Sequence, residues 1–89
     1  MPDSKQLHHD AETLRQKVQA KRDDADNAII RAANYRKDGE LERAAQENAR
    51  AIKDHQEILE IERAAMECEF RATELEAKEL ELEKRQRDY

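Results

Sequence analysis

The stretch Tyr35-Arg36-Lys37-Asp38-Gly39-Glu40-Leu41 decides the fold of this chain. Gly39 is the only glycine among 89 residues, and the only proline is Pro2. The segments 4–38 and 40–88 therefore lack the two strongest helix breakers. Because helices commonly end on a glycine, the Asp38-Gly39 dipeptide is the one strong candidate for a chain reversal.

The composition is typical of a long helix or a coiled coil. Charged residues make up 44% of the chain, whereas hydrophobic residues make up 37% and aromatic residues 3%. High charge with few aromatics is also found in disordered chains, which is the competing interpretation. The helical periodicity described below favours the ordered one. We expect a single domain over residues 1–89.

Charge and cysteine content restrict the class of partner. The net charge of −5 disfavours a nucleic-acid binder, which needs a basic surface, and also disfavours an anionic membrane surface. No apolar run is long enough to span a bilayer. The only cysteine, Cys68, cannot form an internal disulfide and fits a reducing compartment. We expect a soluble, cytoplasmic protein that carries no cofactor and inserts into no membrane.

The first half of the chain has the periodicity of one amphipathic helix over residues 4–37. Ser4 is an acceptable N-cap, and Asp3 is well placed for the positive end of the helix dipole. Apolar or small residues recur with alternating spacings of four and three once Lys21 is included. These seam residues are Leu7, Ala11, Leu14, Val18, Lys21, Ala25, Ala28, Ala32 and Tyr35.

The second half, about residues 40–88, carries two apolar stripes. The residues that we call the first stripe are Leu41, Ala45, Asn48, Ile52, His55, Leu59, Met66 and Phe70. If the chain reverses at residues 38–39, residues that face each other across the two helices have numbers that sum to about 77. This register places five members of the first stripe opposite the helix 1 seam. The predicted apolar pairs are Leu7–Phe70, Ala11–Met66, Val18–Leu59, Ala25–Ile52 and Ala32–Ala45.

The second stripe has the heptad spacing of a coiled-coil seam. Because helix 1 is expected to cover the first stripe, we predict that this one stays free and binds a partner, with about fifteen residues of helix 2 overhanging. The alternative is a break near residue 56 that folds a third helix back on it. The second stripe consists of Ile58, Ile61, Ala65, Cys68, Ala72, Leu75 and Leu82.

The turn region resembles several known helical hairpins. Its spacing of Ala32, Tyr35, Gly39, Leu41, Ala44 and Ala51 is similar to a tetratricopeptide hairpin, and MIT domains share the Tyr-x-x-x-Gly turn. The helical region that precedes Smr domains is similar at Leu14-Arg15, Tyr35, Asp38-Gly39, Ala44 and Phe70. The long hairpin also resembles the first two helices of ESCRT-III-type subunits, which polymerise. These resemblances imply a helical hairpin that binds other helices.

Candidate chemistry is sparse, and each candidate has a simpler structural interpretation. His8 and Glu12 could reach one metal ion from a helix face, but a solvated helix start is favoured. His55 is predicted in the seam opposite Arg22, where a semi-buried polar residue is favoured and a pH sensor is the alternative. Cys68 is favoured as a small packing residue. We therefore predict no catalytic, metal or cofactor residues.

The sequence thus predicts an all-α, antiparallel, coiled-coil-like hairpin with an overhanging second helix. We expect a non-enzymatic protein–protein interaction module that acts by self-association, with a homodimer as the first expectation, or by binding another helical protein. One alternative is a subunit of a larger assembly or filament of the ESCRT-III kind. A metal-dependent enzyme is the minor alternative.

Overall fold

A computed structural model describes residues 3–87, which form two long helices packed side by side. Helix α1 spans Ser4–Lys37 and helix α2 spans Leu41–Arg87. Together they make a rod with extents of 76 × 16 × 14 Å. The predicted all-α hairpin is confirmed. Helix α1 has the predicted bounds, α2 begins one residue later than predicted, and residue 88 lies outside the described residues.

The chain reverses at Gly39, as the sequence predicts. Gly39 has a φ of 79°, a left-handed conformation that residues with a Cβ adopt at a cost. The Gly39 N–H donates to the Arg36 carbonyl at 3.1 Å, and the Glu40 N–H donates to the Tyr35 carbonyl at 2.8 Å. These two bonds form a Schellman motif, which satisfies carbonyls at the end of α1.

The N-terminus of α1 is capped by Asp3, so the prediction of Ser4 as the N-cap is wrong. The Asp3 carboxylate accepts a hydrogen bond of 2.8 Å from the Gln6 backbone N–H. A carboxylate suits this position because helix N-termini carry partial positive charge. Ser4 is instead buried, and its hydroxyl donates to the Glu79 carboxylate at 3.3 Å.

Small side chains dominate the contact between the helices. The predicted α1 seam is confirmed, since Leu7, Val18 and four alanines of that set are buried. Five α2 residues, seven apart, are buried: Ala44, Ala51, Ile58, Ala65 and Ala72. Ala25, Ala28 and Ala51 form one cluster. Alanines on both sides let the backbones approach closely, which brings dispersion contacts between them.

The predicted register of α2 is wrong. Ile52, Leu59, Met66 and Phe70, placed opposite α1 from the sequence, are 60–68% exposed. Four of the five buried residues of α2 directly precede the first-stripe residues Ala45, Ile52, Leu59 and Met66. Helix α2 is therefore rotated by about 100° from its expected orientation. Large side chains in this interface would hold the helices apart and leave the α1 alanines poorly packed.

Helix α2 is continuous from Leu41 to Arg87, so the alternative of a break near residue 56 is wrong. No glycine or proline lies within the helix to cause one. The Ser4–Glu79 contact shows that α1 begins beside residue 79 of α2. The overhang among the described residues is therefore 80–87. It is shorter than predicted, because Ser4 lies opposite residue 79 and the numbers of facing residues sum to 83 there, not to the expected 77.

Candidate protein-interaction surface

The second stripe lies against α1, so the prediction that it stays uncovered is wrong. Ile58, Ala65 and Ala72 are buried, and three further members are half-buried: Ile61, Cys68 and Leu75. Helix α1 covers them because its alanine seam fits small and β-branched residues. Only Leu82 is exposed, at 57%, since it lies on the overhang. In the hairpin these side chains therefore offer a partner little free surface.

The first stripe is the apolar surface that remains free. Its large members are Leu41, Ile52, Leu59, Met66 and Phe70, and each of them is 60–68% exposed. On an α-helix, the 29 residue-to-residue steps from Leu41 to Phe70 span about 44 Å. The hydrophobic residues thus form a long row on the side of α2 that α1 does not cover. Single exposed apolar residues are ordinary, but an extended row marks an interaction surface.

The C-terminal part of the first stripe, from Leu59 to Phe70, forms an open groove. Leu59, Met66 and Phe70 line its apolar floor. Charged side chains line its margins: Glu62, Arg63, Glu67 and Arg71. The groove is open and therefore differs from the enclosed cavities that hold small molecules, and its apolar floor with charged margins has the form of surfaces used in helix-in-groove recognition.

A ladder of ion pairs runs along one edge of the contact between the helices. The pairs are His8–Glu76, Arg15–Glu69 and Arg22–Glu62. Each step advances seven residues in α1 and goes back seven in α2, as expected for antiparallel heptads. The matched spacing of residues 8, 15 and 22 with residues 62, 69 and 76 is visible in the sequence, and it indicates an orientation of α2 that apolar pairing alone does not indicate.

The opposite edge carries a second group of polar contacts. Lys21 donates a hydrogen bond to Glu57, and Arg31 pairs with Glu47 at 3.1 Å. The hydrogen bond from Lys21 holds the pKa of the Glu57 carboxylate below its usual value of 4.5. The same bond raises the pKa of Lys21 above 10.5. Lys21 therefore enters the seam as one half of an ion pair.

Nearer the turn, an aromatic contact joins the two helices. The Arg43 guanidinium lies 5.9 Å from the centre of the Tyr35 ring, within the range of a cation–π interaction. Tyr35 is half-buried at the end of the α1 seam. The contact helps to hold the first turn of α2 against the last turn of α1.

The candidate residues for chemistry, which are His8, Glu12, His55 and Cys68, do not come together in one site. His8 pairs with Glu76, while Glu12 is exposed. His55 is exposed, so its predicted seam position opposite Arg22 is wrong, because α2 is rotated away from that register. Cys68 is half-buried. Residues 3–87 contain no group of three or more His, Cys, Asp or Glu side chains arranged to hold a metal ion.

In the described part of the chain, neither helix is apolar enough over a sufficient length to cross a membrane. Comparison with protein-family models, curated proteins and solved structures gives no match to this chain.

Proposed function

We propose that this chain is a non-enzymatic protein–protein interaction module that binds a helix on the first stripe of α2. One observation supports this most directly. Five large apolar side chains follow one another along α2 with 60–68% of their surface exposed. Burial of such side chains contributes about 1.5–3 kcal/mol each, so a matching helix would gain considerable binding energy. The groove at Leu59, Met66 and Phe70 is the proposed centre of the site.

The partner is either another protein or a second copy, and the homodimer expected from the sequence stays a prediction. We further propose that the module works in the cytoplasm, where Cys68 would remain reduced. The hairpin supplies a rigid rod, because its two helices are packed along nearly their whole length. A rigid helical surface loses little conformational entropy when a partner binds.

The test is the triple substitution Leu59→Ser/Met66→Ser/Phe70→Ser. Light scattering over a concentration series measures self-association, and affinity capture followed by mass spectrometry measures partner binding. The matched control is Ile29→Ser/Ile30→Ser, which removes exposed apolar side chains from α1. We expect the triple variant to lose association while its helicity, measured by circular dichroism, is retained. Equal association of wild type and triple variant would contradict the proposal.

A second candidate function is that of a subunit in a larger assembly. It is favoured by the overhang, where Leu80 and Leu82 are 62% and 57% exposed beyond the end of α1. These side chains would contact the next hairpin end to end. Electron microscopy at increasing protein concentration tests this idea. Filaments that disappear in Leu80→Ser/Leu82→Ser would support it, and a particle of fixed mass would exclude it.

A further inference from the structure

Two sulfur-containing side chains lie among residues 3–87, and the fold exposes one of them much more than the other. Met66 is 68% exposed on the first stripe, whereas Cys68 is half-buried. Met66 also lines the floor of the groove, together with Leu59 and Phe70. The Met66 side chain is therefore accessible to dissolved oxidants, and it lies in the middle of the surface proposed to bind a partner.

Oxidation replaces an apolar group by a polar one at this point of the groove. A molecule of hydrogen peroxide transfers one oxygen atom to the methionine sulfur, which loses two electrons and becomes a sulfoxide, and the peroxide leaves as water. The sulfoxide is polar and accepts hydrogen bonds, so its burial against apolar side chains is unfavourable. The apolar floor would then be interrupted between Leu59 and Phe70.

We infer that Met66 is a reversible oxidation site that controls binding to the first stripe. The thioether form admits a partner, and the sulfoxide form excludes it. A methionine sulfoxide reductase, with two thiols as the electron source, removes the oxygen as water and restores the thioether. This inference rests on the proposed function and adds its regulation. It applies to another protein and to a second copy alike, because either must cover the same groove floor.

The hairpin tolerates oxidation at this position. Met66 lies largely outside the contact between the helices, in which its neighbour Ala65 is only 3% exposed. Sulfoxide formation disrupts a protein core when the methionine is buried, but a change on an exposed side chain usually has little effect on stability. Oxidation of Met66 therefore changes the binding surface while the fold beneath it stays intact, as a switch requires.

The test treats the full chain with hydrogen peroxide and follows sulfoxide formation at Met66 by mass spectrometry of its peptides. Light scattering measures self-association, and titration calorimetry measures binding of a synthetic amphipathic helix of about 28 residues with leucines along one ridge. Both measurements are repeated after treatment with sulfoxide reductase and dithiothreitol. The matched control is Met66→Leu, which keeps Met1 and Cys68 and lacks only the sulfur in the groove. Each protein is compared with itself before and after peroxide.

We expect Met66 in the free hairpin to be oxidised nearly as fast as in the chain unfolded by urea, because neither state shields it. The sulfoxide should weaken binding at least about tenfold, and the reductase should restore it. Helicity, measured by circular dichroism, should not change. Peroxide should leave the affinity of Met66→Leu where it began. In a partly oxidised sample, size-exclusion chromatography should find the Met66 sulfoxide enriched in the unbound fraction.

Unchanged binding by the fully oxidised chain, with binding abolished in the Leu59/Met66/Phe70 triple variant, would overturn this inference and keep the proposed function. Slow oxidation of Met66 in the free hairpin, loss of helicity in the sulfoxide form, or an equal response of Met66→Leu to peroxide would also overturn the inference. The absence of self-association and of peptide binding in the wild type would overturn both.

Discussion

The Arg22 guanidinium pairs with the Glu62 carboxylate across the two helices, one heptad beyond the Arg15–Glu69 pair. These pairs form because one particular side of α2 faces α1, and a rotation of α2 by one residue would move its glutamates away from their partners. The observed orientation also leaves the first stripe on the outside. The ion pairs of one edge and the exposed surface of α2 are thus two consequences of a single orientation.

The first prediction concerns this ladder. Arg22→Glu should destabilise the hairpin, because it places like charges together at residues 22 and 62. Adding Glu62→Arg should restore stability, with a coupling on the order of 0.5 kcal/mol for an exposed pair. Urea unfolding of the wild type, both single variants and the double variant completes the cycle. Additive effects of the two substitutions would mean that these residues do not face each other.

The second prediction concerns the turn. Gly39→Ala should cost about 1–2 kcal/mol, since alanine must adopt the left-handed conformation. Apart from Gly39 and its two neighbours in the chain, no atom lies within 4 Å of the position that a Cβ would take, so contact with the rest of the hairpin adds nothing to this cost. Gly39→Asn should cost less, because asparagine tolerates the same conformation. Urea unfolding measures both values, and a harmless Gly39→Ala would show that the turn does not need positive φ.

The third prediction concerns pH. Because the pKa of Glu57 is lowered, its contribution to stability is present above pH 4.5 and is lost as the pH falls through the lower folded-state value. Because the pKa of Lys21 is raised, its contribution is present below pH 10.5 and is lost as the pH rises through the higher folded-state value. The Lys21–Glu57 pair should therefore stabilise the hairpin between these limits.

Thermal melts from acid to alkaline pH test this pair. The melting temperature of Glu57→Gln should fall below that of the wild type at neutral pH, and the gap should close at both extremes. Glu60→Gln, which removes an exposed glutamate outside any described ion pair, is the control and should show no gap. A gap of constant size across the whole range would indicate lost packing instead of a lost ion pair.

Much of the hairpin can be predicted from the sequence. The single glycine fixes the turn, and the spacing of apolar residues in α1 fixes its seam, because α1 has only one apolar side. Helix α2 has two apolar sides, and the expectation that its larger apolar residues face α1 is wrong. Val18 and its neighbouring alanines form a narrow seam that accepts Ala65 and not Met66. Packing volume and ion-pair spacing, rather than hydrophobicity alone, decide the orientation.

The position of the exposed apolar surface follows from that same orientation. Once α1 covers Ile58 and Ala65, the side chains of Leu59 and Met66 point outward, and the residues expected at the interface exchange places with those expected in the core. A one-residue difference in α2 was therefore enough to move the predicted binding surface into the hairpin. The presence of an uncovered apolar stripe could be predicted from the sequence, whereas its identity required the packing of the helices.

The neighbouring residues Ile58 and Leu59 provide the most direct test, since Ile58 is 4% exposed and Leu59 is 68% exposed. The measurement is urea unfolding of Ile58→Asp and Leu59→Asp, at a concentration where light scattering shows a monomer. Ile58→Asp should lose about 2–4 kcal/mol, because a charge enters the interface and apolar burial is lost. Leu59→Asp should stay within about 0.5 kcal/mol of the wild type. A larger loss for Leu59→Asp than for Ile58→Asp would contradict the account and place the first stripe in the core.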